Sequence, residues 1–111
     1  MASGEDINKL EELTQQLRTC VKSLRRNGEV LAKAEFNYKK ILNTAVYRLR
    51  NDEALPITMI NLLIYGESEV ADARLKRDIA EYTYKANMEA INSCKCQINV
   101  LKGIIKGEGI Y

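Results

Sequence analysis

The chain has no histidine, no tryptophan, one proline, one phenylalanine and three cysteines in 111 residues. Without histidine the usual acid/base group at neutral pH is missing, and Ser-His or Cys-His nucleophile pairs cannot form. Catalysis would rest on carboxylates, lysine, tyrosine or cysteine in a shaped pocket, which a thin helical protein does not favour, so the expectation is that the chain is not an enzyme. Three cysteines without histidine fall short of the four ligands of a tetrahedral zinc site. Cys94 and Cys96, two residues apart in "SCKC", lie about 200° apart on a helix, and Cys20 is far away in sequence. The expectation is reduced, structural thiols, with neither metal nor cofactor.

No apolar run approaches the roughly 18 residues of a membrane span. The start, "MASGEDINKLEEL", is acidic and has no apolar signal-like stretch. Together these predict a cytoplasmic protein that does not enter a membrane, and 111 residues fit one helical domain.

What is present is periodicity and blocked charge. Positions 7, 10, 14, 17, 21, 24, 28, 31, 35, 38, 42, 45 and 49 alternate steps of three and four, and ten of the thirteen are apolar. A seam of this kind predicts one long helix over about 5–52, with Asn27-Gly28 as its weak point because glycine costs about 1 kcal/mol in a helix interior. Pro56 breaks the pattern. Thr58 is expected to cap a short helix over about 58–65 that Gly66 closes, and Ser68 to cap a second long helix over about 69–104, followed by a frayed tail at 105–111. Short loops make the long helices antiparallel, giving an all-α helical hairpin with a short connecting helix. In the second long helix, Leu75, Ile79, Tyr82 and Ala86 follow helical spacing, as do Ile91, Cys94, Ile98, Leu101 and Ile105, and both sets read as its apolar stripe. Further apolar positions, among them Val70, Ala73, Ala80, Tyr84 and Val100, widen that surface beyond what one partner helix covers, which predicts a homo-oligomer of coiled-coil character.

The net charge of +2 conceals a basic stretch at 18–50, with nine Lys/Arg and two acids, and an acidic one at 52–72, with five acids and no base. About 100° from the seam of the first helix lies a row of Arg18, Lys22, Arg25, Glu29, Lys33, Phe36, Lys40, Asn43, Tyr47 and Arg50, in which six of ten are basic, two aromatic and one acidic. Cations for phosphates with interleaved rings for bases are what single-stranded nucleic acid requires. A solvated flank of a coiled coil has the same composition, so the row alone leaves both readings open. Arg77 and Glu81, four apart, form a candidate helix-surface pair. The acidic stretch suits a basic partner surface instead.

Pro56-Ile57-Thr58, the Gly66-Glu67 turn, Val70-Ala71, Arg74 through Asp78, Ala80-Glu81, Tyr84 and Glu89-Ala90-Ile91-Asn92 give residues 38–105 a likeness to known proteins. The segment resembles small helical proteins encoded by phages and prophages of low-GC Gram-positive bacteria. More remotely, the order of a basic first helix, an acidic turn and a long helix with a central tyrosine and Ala90-Ile91 resembles the UvsY-type recombination mediators of tailed phages. That likeness implies an oligomeric, all-helical protein that binds single-stranded DNA in recombination or replication. The competing expectation is a helical protein-binding module that inhibits a host or defence enzyme or scaffolds a phage assembly.

Overall fold

Ser3 starts the first helix: its hydroxyl oxygen accepts the Asp6 N–H at 3.1 Å and its carbonyl accepts the Ile7 N–H at 3.2 Å, with Glu5 and Asp6 at the positive end of the helix dipole. In the computed structural model, which describes residues 3–110 and side chains through 107, this helix (α1) runs unbroken from Gly4 to Tyr47. It passes Asn27-Gly28 without interruption. A five-residue π turn, Arg48–Asp52, follows, then α2 (Ile57–Leu63), a 3-10 turn (Ile64–Gly66) and α3 (Ser68–Ile110). The described residues contain no strand, and the chain is an all-α helical hairpin.

Contacts divide the chain into two compact units. The first joins the chain up to Asn27 with the chain from Tyr84 onward; the second is Gly28–Thr83. The core of the second unit draws its large residues from α1, the π turn, α2 and the 3-10 turn: Tyr38, Leu49, Ile60 and Ile64. Its α3 side supplies Val70 and Ala73, with Ala80 also buried. This is large-against-small packing, in which alanines admit the bulk of the facing chains. The core of the first unit is Leu13, Ile91, Cys94 and Ile98, with Asn87 buried among them.

These cores correct the expected stripe of α3. Leu75 and Ile79 are each 58% exposed, Tyr82 is 76% exposed and Ala86 is exposed, because α1 and α2 already fill the second core and leave α3 to bring small residues to it. The later set held: Ile91, Cys94 and Ile98 are buried and Leu101 and Ile105 half-buried. The expected seam is buried or half-buried at Leu10, Thr14, Leu17, Leu24, Gly28, Leu31, Tyr38, Leu42, Ala45 and Leu49, but Ile7, Val21 and Glu35 are exposed and Leu13, off the seam, is buried. A straight helix drifts about 20° per heptad against a 3.5-residue seam. Over four heptads the inward position therefore moves by nearly one residue, from Thr14 and Val21 to Leu13 and Cys20.

Three helix ends also differ from expectation. Thr58 does not cap α2; Pro56, extended at φ −67° and ψ 154°, does so with its carbonyl, which accepts from Met59 and Ile60. Ser68 is already helical, and Glu67 (φ −62°, ψ 130°) caps α3 by accepting the Ala71 N–H at 2.8 Å. Glu67 is held extended there by Arg48, whose Nη2 donates to its carboxylate at 3.0 Å. Gly103 does not end α3, and residues 105–110 remain helical; the cost of one glycine, about 1 kcal/mol, is less than that of abandoning the following turns. Tyr111 lies outside the described residues.

The π turn ends with Glu53 N–H on the Arg48 carbonyl and Leu55 N–H on the Leu49 carbonyl, which folds the chain back so that Leu55 packs on the core. The reversal places Ala54 at φ 54°, in the left-handed region where a Cβ costs about 1–2 kcal/mol. Ala54→Gly should therefore raise stability by about 1 kcal/mol in urea denaturation, since the relief of strain exceeds the extra chain entropy of glycine.

Candidate nucleic-acid interface

Every residue of the proposed row is exposed. In the second unit α1 carries Lys33, Phe36, Lys40 and Tyr47, whose spacings of three, four and seven keep them on one flank. Phe36 is 71% exposed and Tyr47 67%, so neither ring belongs to the core. The π turn that follows is wider than an α turn, and it takes Arg50 off the straight continuation of this row. Lys40 edges a groove of about 320 Å³ with Asn37, Ile41, Thr44 and Glu69. In the first unit Arg18, Lys22 and Arg25 form a separate basic patch, with Lys22 beside a shallow cleft lined by Thr19, Ser23 and Arg26. Among the described residues, Arg18, Lys22, Lys33, Lys40 and Arg50 make no ion pair.

The arginines near α2 and on α3 are engaged differently. The Arg77 guanidinium lies 4.5 Å from the centroid of the buried Tyr38 ring, and its Nε and Nη2 donate to Asp78 at 3.1 and 2.8 Å. Its hydrogen-bonded partner is thus Asp78, and the charge of Glu81 also favours the guanidinium. Arg74 lies 5.2 Å from the Tyr65 centroid. Arg48 bonds Glu53, Glu67 and Glu69 together, so three of the five acids of the 52–72 block are already paired within the chain. The bond with Glu67 raises Arg48 above its ordinary value, as the bond with Asp78 does for Arg77, and both guanidiniums stay charged at any ordinary pH. By contrast, among the described residues no cation covers Phe36 or Tyr47. Arg48, Arg74 and Arg77 thus seat acids and aromatic rings, whereas the α1 flank of the second unit presents the exposed Phe36 and Tyr47 rings beside the exposed Lys33 and Lys40.

The sequence could not show which residues hold this flank in place. Tyr38 and Arg77 are 39 residues apart, and their stacking is legible only once the helices are paired. The period of the exposed apolar row Leu75, Ile79 and Tyr82 is visible in the sequence, but its outward face is not. Cys94 is buried and Cys96 exposed, on opposite faces as their spacing requires. Among the described residues no group of three or more His, Cys, Asp or Glu is placed to hold a metal ion, and no helix is long and apolar enough to cross a membrane. No protein-family model, curated protein or solved structure matches the chain.

Proposed function

We propose that this chain is a non-enzymatic, self-associating accessory protein of the phage or prophage kind that binds single-stranded nucleic acid through α1 in recombination or replication. The observation that carries this reading is the exposure of Phe36 and Tyr47, which no cation covers among the described residues, on the flank that also presents Lys33 and Lys40. Exposed aromatic rings are costly to leave in water unless something covers them, and a stacked base does so without sequence preference. Several copies would repeat the patch along one strand, so that modest contacts add. Leu75, Ile79 and Tyr82 on α3 provide the apolar surface for that association.

Fluorescence anisotropy of a labelled oligothymidylate tests the reading. Affinity should fall steeply between about 50 and 200 mM salt, and each phosphate-contacting lysine removed should lower the slope by about 0.7. Phe36→Ala should weaken binding by about 1–3 kcal/mol. It should leave the melting temperature unchanged, because the ring is outside the core. Absence of binding at low salt by wild-type protein would refute the proposal. A second reading, a protein-binding module that inhibits a host or defence enzyme or scaffolds a phage assembly, is favoured by a different observation. α2 is apolar nearly all round, yet it buries only Ile60 and leaves Met59, Leu62 and Leu63 exposed.

A further inference from the structure

In the first unit the side chains of α1 and α3 meet in rungs seven residues apart. Asn27 Nδ2 donates to Asn87 Oδ1 at 2.7 Å, which fixes one rung by direct contact. Seven residues are two helical turns, so stepping back seven on α1 and forward seven on the antiparallel α3 reaches the next rung on the same side. That step leads to Cys20 and Cys94. A second step leads to Leu13 and Leu101, and these two line one groove, as the register requires. Cys20 and Cys94 likewise line one cavity, of about 620 Å³. Two further contacts bracket the pair: Asn87 Nδ2 donates to the Cys20 carbonyl at 2.9 Å, and Cys94 Sγ lies 4.0 Å from Gln16 Oε1, one turn before Cys20.

We propose that Cys20 and Cys94 are a facing thiol pair that a low-molecular-weight disulfide oxidises to an intrachain cross-link between α1 and α3. Cys20 is half-buried and is the thiol a reagent reaches first; Cys94 is buried and lines the same cavity. The Cys20 thiolate attacks one sulfur of the small disulfide, forming a mixed disulfide and releasing one small thiol. The Cys94 thiolate then attacks the Cys20 sulfur, closes the protein disulfide and expels the second small thiol. The protein loses two thiol hydrogens and the reagent is reduced to two thiols. Cys96 is exposed, lines the groove of Leu13 and Leu101 and not the cavity shared by Cys20 and Cys94, and takes no part. The bond would tie the two helices of this unit together covalently and make their separation depend on the thiol–disulfide balance around the protein.

The test uses full-length Cys96→Ser protein treated with oxidised glutathione. Intact mass under denaturing, non-reducing conditions should fall by two hydrogens, peptide mapping should join the peptides of Cys20 and Cys94, and melting should move to higher temperature and return on adding a thiol. Cys20→Ser and Cys94→Ser, each made in the Cys96→Ser background, should keep the helical circular dichroism of the parent yet give no closed form. A stable glutathione adduct at Cys20 without closure, or disulfide-linked dimers in place of the intrachain bond, would overturn the pairing. Closure with a lowered melting temperature would also count against it, because it would mean that the helices must be distorted to bring the sulfurs together.

Discussion

Leu49→Ala should destabilise the protein by about 3 kcal/mol, with the same loss at every protein concentration. Leu49 is 1% exposed and sits among Tyr38, Ala45, Ile60, Ile64, Val70 and Ala73. Truncating a fully buried leucine removes its transfer free energy and leaves a cavity, together about 2–5 kcal/mol. The upper end is not expected, because Ile41, Leu42, Val46 and Leu55 are only partly buried at the edge of this core and can settle inward. Leu75→Ala is the informative partner. At 58% exposure Leu75 has little to lose within one chain. If it lies in a contact between copies, its replacement lowers the melting temperature at high concentration, and the effect vanishes on dilution. Urea denaturation of both variants at two concentrations separates core from interface. A concentration-independent loss near 3 kcal/mol at Leu75 would restore it to the core and contradict the packing described above.

That pair of variants also marks where sequence reading succeeds and where it stops. The seam over Tyr38, Leu42, Ala45 and Leu49 was legible because large apolar residues recur there with one period and only one face can be dry. The break at Pro56 was legible because proline restricts its predecessor. On α3 the rule failed for a physical reason. Two apolar rows share the helix, one of alanines and a valine and one of leucine, isoleucine and tyrosine, and periodicity cannot say which faces inward. The choice follows from volume: Tyr38, Leu49, Ile60 and Ile64 already fill the core, so the alanine row is the one that fits. The caps were missed because Thr58 and Ser68 have the preferred side chains, whereas Pro56 and Glu67 act through backbone carbonyls in extended conformation. The π turn had no local signature. It lets Leu49 enter the core while Arg48 reaches Glu53, Glu67 and Glu69. Of the candidate interface, composition and spacing were readable from the sequence. That Phe36 and Tyr47 stay exposed while the Tyr38 and Tyr65 rings are stacked by arginines depends on long-range packing, which no local pattern encodes.

Asn87→Ala should cost about 2–3 kcal/mol, the second largest effect expected here. Asn87 is the one buried polar side chain among the described residues, and it sits at a seam position between Tyr84 and Ile91. Its Nδ2 donates to the Cys20 carbonyl and its Oδ1 accepts from Asn27 Nδ2, so both ends of the amide are satisfied across the seam. Alanine removes both bonds, leaves a void, and strands the Asn27 donor. Asn27 is half-buried, so water recovers part of its desolvation loss, and the total stays below the largest core truncations. Asn87→Leu is more discriminating. Leucine gains about 1.5–3 kcal/mol of burial but strands the same donor at about 1–3 kcal/mol, so the single change should be close to neutral. Adding Asn27→Leu removes the stranded donor, and the double variant should melt above wild type. A buried asparagine in a helical seam fixes register at a cost in stability. The double variant should therefore lose that fix, and light scattering and native-state hydrogen exchange should reveal mixed assemblies or slipped pairings of α1 and α3. A double variant that melts higher and still gives one species, with unchanged protection along α3, would mean that the flanking Leu13, Ile91 and Ile98 set the register without the amide pair.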